Sequence, residues 1–172
     1  MKNKMIVGTI VAVFLFSGIM IAQEEQQKVK APELTLEQKW KRALVNVSAI
    51  FIASMKYAKE QGKSPGDFGK FLGEFAASSW GQIATVKEFV EAMHWNWQVW
   101  DNFQIETLEE SENFYKARMK GLGENRLGDS GITVEEYFDC WDQAIKQITD
   151  HLGLSYEQKL EEDWVVFTVT KK

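Results

Sequence analysis

The sequence predicts an α+β domain: three helices, then a hairpin, a fourth helix and a second hairpin. Three observations carry that expectation. Apolar residues recur at helical spacing up to about residue 100, alternate with polar ones at 103–107 and 114–120, return to helical spacing at 134–152, and alternate again towards residue 170. Capping boxes headed by Thr35, Thr85 and Thr133 mark three helix starts, since a Thr hydroxyl and a Glu or Gln three residues on satisfy each other's unpaired amides. Helices followed by strand pairs imply a four-stranded antiparallel sheet with helices packed on one face.

The first residues form a separate element. Lys2 and Lys4 precede residues 5–22, an uncharged run that Gln23, Glu24 and Glu25 end abruptly. A basic start, an apolar run and a small residue before a polar stretch describe an export signal, with cleavage expected after Ala22. The run is 18 residues long, at the low edge for spanning a bilayer, so an uncleaved anchor is the alternative. Both readings place the rest of the chain outside the cytoplasm, periplasmic or secreted. Residues 23–34 read as a polar linker and residues 35–172 as a single domain.

In the first helix, Trp40, Leu44, Val47, Phe51 and Met55 follow the Thr35 box, and Gly62 is a natural stop. Ser64-Pro65 opens the second helix, with Ser as N-cap and Pro in the first turn. Phe68, Phe71, Leu72 and Phe75 are its expected apolar face; Gly66, Gly69 and Gly73 weaken it but permit close approach to a neighbour. The third helix runs from Thr85 towards Asp101 and carries three tryptophans. At about 100° per residue, Val86, Phe89, Val90, Trp97 and Trp100 lie near Met93, a buried stripe. Trp95 points away, among Glu88, Glu91 and Gln98.

The first hairpin is expected from 103–107 and 114–120, with Tyr115, Ala117 and Met119 on one face and a polar turn at 109–113. A glycine-rich loop spans 121–131. The last helix has the clearest stripe: Val134, Tyr137, Phe138, Trp141, Ile145, Ile148 and Leu152, which puts Trp141 at the centre of the core. Strands at 154–160 and 164–170 close the domain around Glu161-Glu162-Asp163.

Composition narrows the function. The net charge is −5, becoming −7 once Lys2 and Lys4 are removed. A phosphate backbone would be repelled, which argues against nucleic acid as partner. A membrane is expected to be met only through the N-terminal segment, if that is uncleaved. A single cysteine, Cys140, allows no internal disulfide and no Cys-rich zinc site, and two histidines at distant positions make no metal site. No cofactor is expected. The acidic tips at 109–112 and 161–163 lack the spacing of a calcium loop.

What remains is binding. Aromatics make up 13% of the chain, and wide rings can line an apolar pocket edged by polar groups. Trp80, Trp97, Tyr115 and Trp141 are the candidate lining, with His94 as a polar edge and Trp95 as an outward contact residue; a filled core is the competing reading. The expectation is an exported, non-catalytic domain that binds an apolar small molecule or a protein partner. The alternatives are a small hydrolase using either Cys140, for which His94 is the candidate partner, or carboxylates assembled in the fold, and a structural or interaction protein of the cell envelope that presents Trp95.

Overall fold

Among the described residues, four helices and four strands follow one another in the predicted order. A computed structural model describes residues 33–172. The expected export segment and most of the linker lie outside the described residues. Helices α1 (Leu36–Glu60), α2 (Pro65–Ala77) and α3 (Val86–Trp97) precede strands β1 (Gln104–Ser111) and β2 (Phe114–Lys120). Helix α4 (Val134–His151) and strands β3 (Leu154–Glu161) and β4 (Trp164–Lys171) complete the chain. Residues 38–172 form one compact unit.

The strands make one antiparallel sheet in the order β1-β2-β4-β3. The second hairpin therefore pairs with the first through β4 against β2, and α4 carries the chain across. Alternation decides which face is buried. Tyr115, Ala117 and Met119 of β2, with Val165, Phe167 and Val169 of β4, are all 5% exposed or less. Leu154 and Tyr156 of β3 extend the same buried layer. Helices α3 and α4 supply its other side with Val86, Phe89, Val90, Met93, Trp97, Tyr137, Phe138, Ile145 and Ile148. On the opposite sheet face, Trp164 lies under the Arg118 guanidinium and the Lys120 ammonium, 4.5 and 4.4 Å from the ring centroid.

Local chemistry explains the boundaries. Thr85 and Thr133 each accept a hydrogen bond from the third amide of their helix, while Glu88 and Glu136 accept one from the cap amide. Ser64 and Asp67 make the same reciprocal pair at α2, a capping box beyond the expected single cap. These bonds favour the carboxylate, so the Asp67 and Glu88 acids are held below their ordinary range mainly by backbone donors. Strand β1 is longer than expected. It runs through Glu109 and Glu110 to Ser111 with a bulge at Leu108, leaving Glu112-Asn113 as the turn. The exposed side of an edge strand tolerates acids that read as a turn in sequence.

Three further expectations need correction. Helix α3 ends at Trp97, so Trp100 leaves the helical stripe; it sits half-buried on the backbone of Gly123. Trp141 is half-buried rather than central, packed edge-on to Tyr137 and 5.0 Å from Phe51 of α1. The third correction concerns α2. Its buried positions are Pro65, Gly66, Gly69, Gly73 and Ala77, whereas Phe71 is 64% and Phe75 78% exposed. The glycine face lies directly on α4: a Cβ on Gly69 would overlap the carbonyl of Cys140, and one on Gly73 the carbonyl of Ala144. Glycine at three and four residue spacing lets the two backbones touch, and this turns the phenylalanines outward.

Candidate functional site

The predicted aromatic residues are distributed over several places. Trp97 is 4% exposed between Phe103 and Phe167, with ring centroids 6.0 and 5.6 Å away. Trp80 is half-buried beside Phe89 at 5.7 Å. Trp141 belongs to the α1–α4 junction already described. Trp95 is 79% exposed, the outward position that the helical wheel assigns to it.

Two of the six do come together. The Tyr115 hydroxyl lies 2.9 Å from Thr107 Oγ1 and 3.5 Å from His94 Nε2. These groups line a small pocket of about 170 Å³ with Lys87, Glu91 and Ser111. Burial lowers the His94 pKa, and Glu91 offsets part of that shift. The imidazole is therefore neutral at physiological pH. It meets a phenol whose hydroxyl is already engaged, which orients a ring but activates no nucleophile.

Cys140 is fully buried at the α2–α4 contact. Burial, assisted by Asp139, pushes its thiol up to about 12. A thiol this buried stays protonated and is closed to substrate, the opposite of the electropositive, accessible setting a catalytic cysteine needs. Among the carboxylates of the described residues, Asp142 is the buried one, at 8% exposure. Burial raises its pKa, and Lys146, 2.6 Å from Oδ2, works against that shift. Its Oδ1 has no partner among the described residues. Among the described residues no cluster of three or more His, Cys, Asp or Glu is placed to hold a metal ion. Arg126, the cation of the glycine-rich loop, is bound to Asp101 at 2.9 Å. The loop itself is pinned by buried Leu122, Leu127 and Ile132, and by the Tyr137 hydroxyl donating to the Leu122 carbonyl at 2.7 Å.

A larger cavity than the His94–Tyr115 pocket lies along the open side of α1 and α2. It is a groove of about 820 Å³ walled by Ile50, Ala53, Tyr57 and Ala58 of α1 and by Phe68 and Phe71 of α2, with Lys63 and Asp67 at one end. Ile50 is 68% exposed and Tyr57 64%. The apolar surface continues past the groove to Val47 on α1 and Phe75 on α2. Sequence reasoning missed it because it assigned Phe71 and Phe75 to the core. The available signal was the 66/69/73 glycine spacing: those positions lie about 170° from the phenylalanines on a helical wheel, so a helix that buries its glycines must expose them.

A second periodicity in α1 supports the same surface. Trp40, Ala43, Val47, Ile50, Ser54 and Tyr57 recur at alternating spacings of three and four, forming a stripe beside the one that packs inward through Leu44, Ser48, Ile52 and Met55. The fold of the described residues covers the inward stripe and leaves most of the second one exposed.

No family model, no curated protein and no solved structure matches this chain.

Proposed function

We propose that this chain is a non-catalytic binding domain, exported or anchored outside the cytoplasm, whose ligand-binding surface is the apolar α1–α2 groove. The observation that carries the reading is the exposure of Ile50, Tyr57, Phe71 and Phe75 on one continuous face around a cavity of about 820 Å³. Soluble monomeric domains expose few contiguous apolar patches of this kind, and those they do expose are commonly binding sites. The lining is predominantly apolar, with polar groups at one end, the composition of a site that takes an apolar molecule or the apolar face of a partner. Export rests on the basic start and uncharged run of residues 1–22. The case against catalysis rests on the protonated, enclosed Cys140 thiol and on a His94 that faces a phenol.

Nile red, an uncharged dye that brightens and shifts to the blue in apolar sites, tests the groove. The full chain should bind it, and Ile50→Glu or Phe71→Glu should weaken binding by tenfold or more, about 1.4 kcal/mol. Trp95→Glu, an equally exposed aromatic on the far helix, should leave it unchanged. Equal loss at all three positions, or none at any, would remove the groove as the binding surface.

A further inference from the structure

We infer that the α1–α2 face docks on an anionic lipid bilayer. The inference rests on the proposed binding role of this face and names its partner. Three observations carry it. The first is charge. The chain as a whole is acidic, which argues against an anionic surface, but the charge is segregated. Residues 36–63, α1 and the turn after it, hold six Lys and Arg against two acids, Glu37 and Glu60; residues 64–172 hold ten against twenty acids. Lys59 is engaged by Glu136 of α4 at 2.7 Å, so the acidic body already neutralises one of those cations internally. A second copy docking along α1 would bring two net-basic helices together, which disfavours a homodimer through this face.

The second observation is the form of the surface. Ile50, Phe71 and Phe75 protrude, and Trp40 and Tyr57 add rings with a polar edge. Apolar tips with interfacial aromatics and cations in the same helix are the composition of an element that lies in a bilayer interface. The third is chain order. The uncharged run of residues 5–22 comes shortly before α1, and the 13 residues between them reach at most about 45 Å when extended. If the run is retained in a membrane, the linker confines α1 to its vicinity. If it is removed, the charge and apolar surface act alone.

The full chain, reconstituted into vesicles, gives the test. Ile50→Cys, Phe75→Cys and Trp95→Cys are each labelled with an environment-sensitive fluorophore; the buried Cys140 stays unlabelled, and circular dichroism verifies the fold. Vesicles of phosphatidylcholine with phosphatidylglycerol carry nitroxides on their acyl chains. The labels at 50 and 75 should be quenched at least about twofold and the label at 95 should not, because only side chains inserted below the headgroups meet the nitroxides. Omitting phosphatidylglycerol, raising salt, or replacing Lys39 and Arg42 with Gln should each reduce that quenching, since exposed cations attract anionic lipid through a screened field. Two results would overturn the inference: no quenching at 50 and 75, or equal quenching at all three sites. Nile red binding that persists while quenching fails sinks the bilayer and leaves the groove reading standing. Loss of both removes the two together.

Discussion

Helices α2 and α4 lie against each other along most of α2, yet they make the contact with opposite kinds of residue. Helix α4 contributes an amphipathic stripe whose large side chains, Tyr137, Phe138, Ile145 and Ile148, are at most 7% exposed and serve the sheet. Helix α2 contributes Gly66, Gly69 and Gly73, and leaves Phe71 and Phe75 in the open. In α4 the hydrophobic effect alone selects the buried face. In α2, shape selects it: α4 presents backbone at Cys140 and Ala144, which only a surface without side chains can approach so closely. A helix that gives up its apolar face for a glycine contact leaves that face uncovered by the described fold.

The most severe way to break this comparison is to put a side chain into the glycine contact. Gly69→Val should be the largest effect of any single change in α2. The added Cβ meets the Cys140 carbonyl, which cannot move without shifting α4, and no flexible side-chain tip is there to give way. Overpacking typically costs about 1–3 kcal/mol, and a collision with backbone falls at or beyond the top of that range. Urea melts would measure it. A loss well under about 1 kcal/mol would mean that the helices separate easily and that the contact is not close-packed.

Next comes the junction of α4 with α1. Trp141 is half-buried against Phe51 and Tyr137, so Trp141→Ala should cost about 2 kcal/mol rather than the roughly 3–5 kcal/mol of a fully buried ring. A loss at the upper value would place Trp141 functionally in the core. Little or no loss would mean that α1 is held by Leu44, Ile52 and Met55 without help from the aromatic junction.

These two positions also mark what was legible in the sequence. The element order, the Thr85 and Thr133 boxes, the buried faces of β2 and β4 and the outward turn of Trp95 all follow from local rules, because each depends on residues a few positions apart. Trp141 and Phe71 were misplaced because their environment depends on which neighbour comes alongside, and a wheel cannot say whether an apolar arc meets a sheet, a helix or nothing. The candidate site lay in that blind spot. Its α1 wall is visible as a second stripe from Trp40 to Tyr57, but the eye follows the stripe that includes Leu44 and Met55. Its α2 wall becomes readable only when the glycines are taken as a contact surface instead of a weakness.

A smaller effect distinguishes the polar chemistry of α4. Burial raises the Asp142 pKa above its unfolded value despite Lys146. Between those two values the folded state holds more protons than the unfolded one, so stability falls as pH rises through that window. Asp142→Asn should abolish this contribution. At pH 7 the change should lie within about 1 kcal/mol of wild type, because removing a desolvated charge offsets the loss of the Lys146 pair. Urea melts at several pH values would settle it: a slope unchanged in the variant would assign the pH dependence to another group.

The smallest expected effect on stability, and the one with most functional content, is on the outer face of α2. Phe75 is 78% exposed, so Phe75→Gln should change the unfolding free energy by no more than about 0.5 kcal/mol, as ordinary surface substitutions do. Glutamine is also at least as good a helix former as phenylalanine, which removes propensity as a confounding cause. The contrast with Gly69, six residues away on the buried face, then becomes sharp: one helix carries a position where adding an isopropyl group is ruinous and another where deleting a whole ring is neutral to the fold. If that neutrality holds and Nile red binding falls, the ring is kept for a ligand or surface outside the described fold. If Phe75→Gln costs as much as a core truncation, Phe75 is covered in the native protein, and the face assigned to binding is part of the chain's own packing.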